Sequence, residues 1–188
     1  MQSTPSTAQI AVLNQAAGGN RILNDGLGPN ALARLERDVI AQPGVNYALI
    51  YEGVNDLGTS PTDEASLTRT GDRILTAYDQ MVARLHRAGI AVFGATITPM
   101  SGPGQTYSDP GREAQRQRVN EWIRTSGRFD AVVDFDRAVR DPRNATQLSP
   151  TYDVGDYLHL NPEGYKTMAA TFDLGLFERF ADGVSSMV

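Results

Sequence analysis

Cysteine is absent from this 188-residue chain, which excludes disulfides, thiolate nucleophiles and cysteine metal sites together. Histidine is nearly absent: His86 and His159 are too few for a histidine-rich metal centre, and neither a metal nor a cofactor is expected. A basic surplus is also missing. With 17 Lys and Arg against 22 Asp and Glu, the formal net charge is −5, so no basic stripe is available to neutralise nucleic-acid phosphates or an anionic membrane. No apolar run approaches the ~20 residues that span a bilayer. The amino-terminal "MQSTPSTAQ" is polar and lacks the apolar core of a signal peptide. Spaced glycines of a dinucleotide fingerprint and the lysine of a phosphate loop are both wanting. What remains is one soluble-type α/β domain over 1–188, with 40% apolar and 21% charged residues.

The apolar pattern alternates between strands and helices. "IAVLNQA" (Ile10 to Ala16) predicts a first strand, followed by the glycine-punctuated loop Gly18 to Gly28 and a helix over about Pro29 to Ala41. "NYALIYEG" predicts a second strand. Ile74, Tyr78, Met81, Val82 and Leu85, at spacings of three and four, predict a helix ending near Gly89. Ile90 to Ile97 predicts a third strand, Arg112 to Thr125 a helix, and Asp130 to Asp136 a fourth strand. An irregular stretch from Arg140 to Tyr157 follows. Asn161 as N-cap and Pro162 at the first helical position then open a last helix through about Phe172. Strands alternating with helices imply a parallel sheet covered on both faces, and right-handed crossovers bring its carboxyl ends to one edge. Ligands bind at that edge of an open parallel sheet. It collects Asn14 to Gly19, Gly53 to Asp56, Thr96 to Pro99 and the loop to His159.

Three short motifs lie there: "NQAAGGN" (Asn14 to Asn20), "GVND" (Gly53 to Asp56) and "DYLH" (Asp156 to His159). In this order and on these elements the chain, from about Ile10 to Phe172, resembles the SGNH or GDSL-type hydrolases, serine esterases on a three-layer α/β/α flavodoxin-like fold. The resemblance implies that Gly19 offers a backbone N–H and Asn55 a side-chain amide to an oxyanion. It also implies that His159 is the general base and that Asp156 holds its other ring nitrogen. The chemistry suits these residue types. Acyl transfer needs donors aimed at the oxygen that becomes negative, a glycine allows close approach, and a neutral amide donates without a competing charge. An Asp three residues before a His lets one turn carry both. The following helix start disfavours imidazolium while Asp156 favours it.

Each residue also has a plainer reading. Gly18 and Gly19 can end a strand, and Asn55 with Asp56 can form a turn, Asp56 tying loops together beside the site. His86 reads as a surface residue near a helix carboxyl end.

The family's Gly-Asp-Ser block is missing. Gly71-Asp72 is followed by Arg73 and Gly155-Asp156 by Tyr157, and only 18 residues precede Gly19. The resemblance therefore implies that the family's first strand, central in its sheet, is also missing, so the chain is either amino-terminally truncated or closes its sheet differently. Ser3 and Ser6 lie in the amino-terminal arm, and Ser60 and Ser101 fall at the ligand edge without an elbow pattern. Three outcomes are open: a second chain or the arm donates what is missing, His159 activates water directly, or the chain is inactive.

The expected substrate is a carboxylic ester, with an acetyl or other short acyl group on a carbohydrate or small alcohol; Tyr107, Tyr152 and Tyr157 are available to stack on a sugar, or equally to serve as plain packing. The rival is a non-catalytic carbohydrate-binding module of the same fold. A homo-oligomer that compensates the missing strand is a further expectation. Secretion is expected from the Asn144-Ala145-Thr146 glycosylation pattern, placed in a loop.

Overall fold

A computed structural model of the chain describes residues 4–181, 183 and 184. Ser3 lies outside them. The elements in chain order are α1 (Ala31–Leu35), which runs on as a π-helical turn over Glu36–Ile40, β1 (Tyr47–Ile50), α2 (Val54–Gly58), α3 (Glu64–Arg87) and β2 (Ala91–Ala95). Then come α4 (Pro110–Thr125), β3 (Ala131–Val133), α5 (Phe135–Val139), β4 (Arg140–Asp141), β5 (Asn144–Leu148), α6 (Pro162–Thr171) and α7 (Gly175–Arg179). Strands β1, β2 and β3 form one parallel sheet in that spatial order.

The central strand β2 is buried along its whole length, as a parallel strand covered on both faces must be. Its side chains alternate between two cores. Val92 joins Ile74, Tyr78, Leu85, Val119 and Ile123 from α3 and α4, while Ala91 and Phe93 pack on Leu176 of α7. Ala95, at its end, meets Val133, Phe135 and Met168 of α6. Gly94 admits the Phe129 ring, which would stand 2.5 Å from a Cβ there. The result is the α/β/α, flavodoxin-like layering.

Helix α3 is the stripe the spacing predicts. Ile74, Tyr78, Met81, Val82 and Leu85 are all buried, and Asp63 caps it by accepting from Ser66 N. Asn161 caps α6 by accepting from Glu163 N and Gly164 N.

Ile10 to Ala16 does not form a strand. Its Val12 and Leu13 are 73% and 59% exposed. A strand is stabilised by its neighbours, and among the described residues no strand lies beside this segment, because the sheet they form ends at β1. The predicted strand Asp130 to Asp136 stops at Val133, where the Asp134 side chain accepts from Arg137 N and starts α5. Within the supposedly irregular stretch, β4 and β5 pair antiparallel. Asn144 consequently lies on a strand, not a loop, and its Oδ1 accepts from the Thr146 N–H and hydroxyl. His86 is not a free surface group: its Nε2 is 2.9 Å from Asp130 Oδ2, which also accepts from Val92 N.

A buried ionic lattice fastens these layers below the ligand edge. Arg116 of α4, 0% exposed, donates to Glu113, to Asp136 of α5 at 2.7 Å and to the Ile97 carbonyl at 2.7 Å. Arg124 adds bonds to Asp134 and Asp136. The segment that leaves β2 is thereby held from both sides, since Asn120 also brackets the Ile97 peptide at 2.7 and 2.8 Å.

Candidate active site

Past the end of β1, Gly53 has φ 109°, a conformation that L side chains rarely adopt, and turns the chain directly into α2. That turn sets Asn55 and Asp56 on the first turn of the helix. The Asp56 carboxylate accepts from Ile22 N at 2.8 Å and Leu23 N at 3.0 Å, so it ties the Gly18 to Gly28 loop to α2. Burial pushes its pKa up, against the pull of those two N–H donors.

Asn55 Nδ2 donates to the Asn20 carbonyl at 2.8 Å. A carbonyl only accepts, so the contact settles which end of the amide is the NH₂. One amide hydrogen is used there, and the other has no partner among the described residues. On the far side, Asn55 Oδ1 accepts from the Tyr107 hydroxyl at 2.9 Å.

Asn20 itself is clamped. It is buried, its Oδ1 receives Arg34 Nε and Nη2 at 3.0 and 2.8 Å, and its Nδ2 donates to the Pro29 carbonyl at 2.8 Å. The preceding Gly19 has φ 69°, is exposed, and has an N–H without a hydrogen-bond partner among the described residues. The Leu27 side chain lies against it.

The Asp156 to His159 turn builds a second group. Asp156 Oδ1 accepts from Leu158 N and His159 N at 2.9 and 2.8 Å, and its Oδ2 stands 2.6 Å from His159 Nδ1. Burial alone would raise the Asp156 carboxyl. The His159 ring and the two N–H donors outweigh it and hold the group below its ordinary range. Tyr157, between the pair, has φ 61°, and the Asp153 carboxylate braces the turn by accepting from the N–H groups of Gly155, Asp156 and Tyr157. With Nδ1 facing a carboxylate, His159 turns Nε2 away from it, and the ring is largely exposed.

The two groups are linked through the loop after β2. Gln105 Nε2 donates to the Asp156 carbonyl at 2.6 Å, and Gln105 Oε1 accepts from Tyr107 N at 3.1 Å. Of the two roles open to Tyr107, Tyr152 and Tyr157, stacking on a sugar or plain packing, the structure shows packing contacts for all three. Tyr107 lies on Gly58, Tyr157 on Gly102, and Tyr152 against the Phe135 and Met168 cluster. A glycine at 58 or 102 is the one signal that could have marked these contacts.

Ser60 is buried with its hydroxyl 2.9 Å from Thr70 Oγ1. Ser101 is buried and makes no side-chain hydrogen bond among the described residues. Ser6 is exposed in a short 3₁₀ turn over Pro5–Thr7. Among the described residues no three His, Asp or Glu side chains gather as metal ligands, and no helix is long and apolar enough to cross a membrane.

The sequence profile of the GDSL-like lipase/acylhydrolase family matches residues 4–167, which takes in all three motifs. The chain belongs to this family. Solved structures agree on the fold of the GDSL-like chain. The acetylxylan esterase of Geobacillus stearothermophilus superposes with a TM-score of 0.64 at 23% identity, over 91% of this chain and 74% of that one. A GDSL-like lipase of Bacteroides thetaiotaomicron gives 0.56 at 21% identity, over 74% of this chain and 65% of that one. The chain thus spans under two thirds of that lipase's length. No curated protein matches it.

Proposed function

We propose that this chain is a carboxylic ester hydrolase that removes a short acyl group, such as acetyl, from a carbohydrate or small alcohol. The observation that carries the reading is the 2.6 Å contact between His159 Nδ1 and Asp156 Oδ2 in a member of the GDSL-like lipase/acylhydrolase family. The acetylxylan esterase similarity supports the acetyl and carbohydrate part. In this reading Asp156 holds the tautomer that leaves Nε2 free to accept a proton.

No Gly-Asp-Ser occurs within these residues, and of the three sources of a nucleophile named above the reading takes water, which the exposed His159 ring can activate directly. His159 Nε2 takes its proton, the hydroxide oxygen bonds to the acyl carbon, and the carbonyl oxygen becomes negative. The Gly19 N–H and the unused Asn55 hydrogen donate to it. Collapse breaks the bond to the alcohol oxygen, which receives the proton back from His159. A serine-free site of this kind retains base catalysis and oxyanion stabilisation but forgoes the acyl-enzyme intermediate.

The missing serine favours one second reading, a carbohydrate-binding module without catalysis. Hydrolysis of p-nitrophenyl acetate by the chain and by His159→Ala separates them. The esterase reading expects the variant to lose about 10²-fold in rate above the uncatalysed background, the scale of one general base. Equal rates in the two proteins would leave the binding module.

A further inference from the structure

We propose that the loop from Gly102 to Asp109 is a bracket that sets the spacing between the oxyanion donor and the general base, with Tyr107 and Gln105 as its positioning residues. The proposal rests on the esterase reading for its effect on rate, and on hydrogen-bond geometry alone for its effect on Asn55.

The loop touches both halves of the site within one short segment. At one point the Tyr107 hydroxyl donates to Asn55 Oδ1 at 2.9 Å. Two residues earlier, Gln105 Nε2 donates to the Asp156 carbonyl at 2.6 Å. The two contacts are coupled through Gln105. Its Oε1 accepts from Tyr107 N at 3.1 Å and from the Thr106 hydroxyl at 3.3 Å, so its NH₂ must face Asp156. An unbroken run of hydrogen bonds therefore leads from the Asn20 carbonyl through Asn55, Tyr107, Gln105 and Asp156 to His159.

The loop is also built to stay put. Gln105 N donates to the Gly102 carbonyl at 3.1 Å and Ser108 N to the Gln105 carbonyl at 3.0 Å, which folds it into successive turns. Arg112 pins it from outside, with Nη1 on the Thr106 carbonyl and Nε on the Ser60 carbonyl, each at 3.0 Å. Two glycines let aromatic rings close on it. A Cβ at Gly58 would stand 2.1 Å from the Tyr107 ring, and one at Gly102 equally close to the Tyr157 ring. Tyr157 belongs to the turn that carries His159, so the bracket grips that turn by packing as well as by Gln105.

Neither residue reaches the reacting atoms in this scheme. Tyr107 acts by keeping the amide plane of Asn55 such that its second hydrogen points one way, and Gln105 by holding the Asp156 backbone. Their loss should therefore lower kcat and leave KM nearly unchanged, because the donors they position matter most in the transition state.

The test uses Tyr107→Phe and Gln105→Ala in the full chain, with p-nitrophenyl acetate kinetics and nitrogen-15 NMR of the Asn55 side-chain amide. Each variant is expected to lose about threefold to tenfold in kcat, the scale of one neutral hydrogen bond, with KM within about twofold. In Tyr107→Phe the Asn55 NH₂ signals should move while the Asn20 side-chain signals stay. The double variant should lose less than the product of the two single losses, because both residues serve one device. Wild-type kcat in both single variants, or unmoved Asn55 signals in Tyr107→Phe, would overturn the bracket. If the wild-type chain and His159→Ala hydrolyse equally, it is the esterase reading that fails, and the Asn55 signals alone then decide for or against the bracket.

Discussion

Glu52, the residue just before Gly53, offers a prediction that can be worked to a number. Its carboxyl is pushed up from 4.5 to about 7, first by burial and then by the nearby Asp56 charge, against the pull of Arg34 and the Gly53 N–H. Only 19% of the side chain is exposed, and the nearest cation, Arg34 Nη2, stands 3.7 Å away with its other nitrogens already bonded to Asn20 and Asp38. A raised acid binds its proton more tightly folded than unfolded. Its contribution is therefore fully present below pH ~4.5 and is lost as pH rises to about 7. At about 1.4 kcal/mol per pH unit the loss is on the order of 3 kcal/mol. Glu52→Gln keeps the shape and removes the titration. Urea unfolding of both proteins at pH 4.5, 6, 7 and 8 should give matching stabilities at the lowest pH. The variant should gain steadily until it leads by about 3 kcal/mol at pH 8, roughly a 1 M shift in midpoint. Asp56 shifts the same way in both proteins and largely cancels in the difference. A difference that does not change with pH, or a less stable variant at pH 8, would show that the Arg34 ion pair outweighs burial and would refute the reasoning.

Two further outcomes follow from the same structure. On the proposed esterase reading, Asn55→Ala should lower kcat for p-nitrophenyl acetate by about 10²-fold or more, the cost of one oxyanion donor, with a smaller change in KM. Arg116→Met leaves Glu113 without its cation and Asp136 with fewer partners inside the protein, and should cost about 3–5 kcal/mol in a urea titration. A cost under about 1 kcal/mol would mean that the lattice around Arg124 closes over the gap.

The elements legible in the sequence are those whose causes are local. Helix α3 shows its buried face in the spacing from Ile74 to Leu85, and α6 shows its start in Asn161-Pro162. The Asp156 and His159 pair is legible for the same reason, since one turn holds both. Ile10 to Ala16 misleads because an apolar, strand-like segment pairs only if another strand lies next to it. Arg116 gives no hint of burial, because its partners Asp136 and Ile97 lie 20 and 19 residues away. Tyr107 is visible as an aromatic in a loop, but its partner is 52 residues distant and its fit depends on a glycine.

Among the described residues β1 is the terminal strand of the sheet, and that position bears on how this chain behaves in concentrated solution. From Tyr47 to Ile50 the strand carries no charge, and Leu49 remains 45% accessible. Natural sheets guard such borders with lysine, proline or a covering element, and this one has none of the first two along that run. Extended peptides of apolar character should dock along it in solution, and loss of the net charge of −5 on acidification should remove the repulsion that keeps molecules apart. Turbidity on acidification is thus a property written into four residues of backbone.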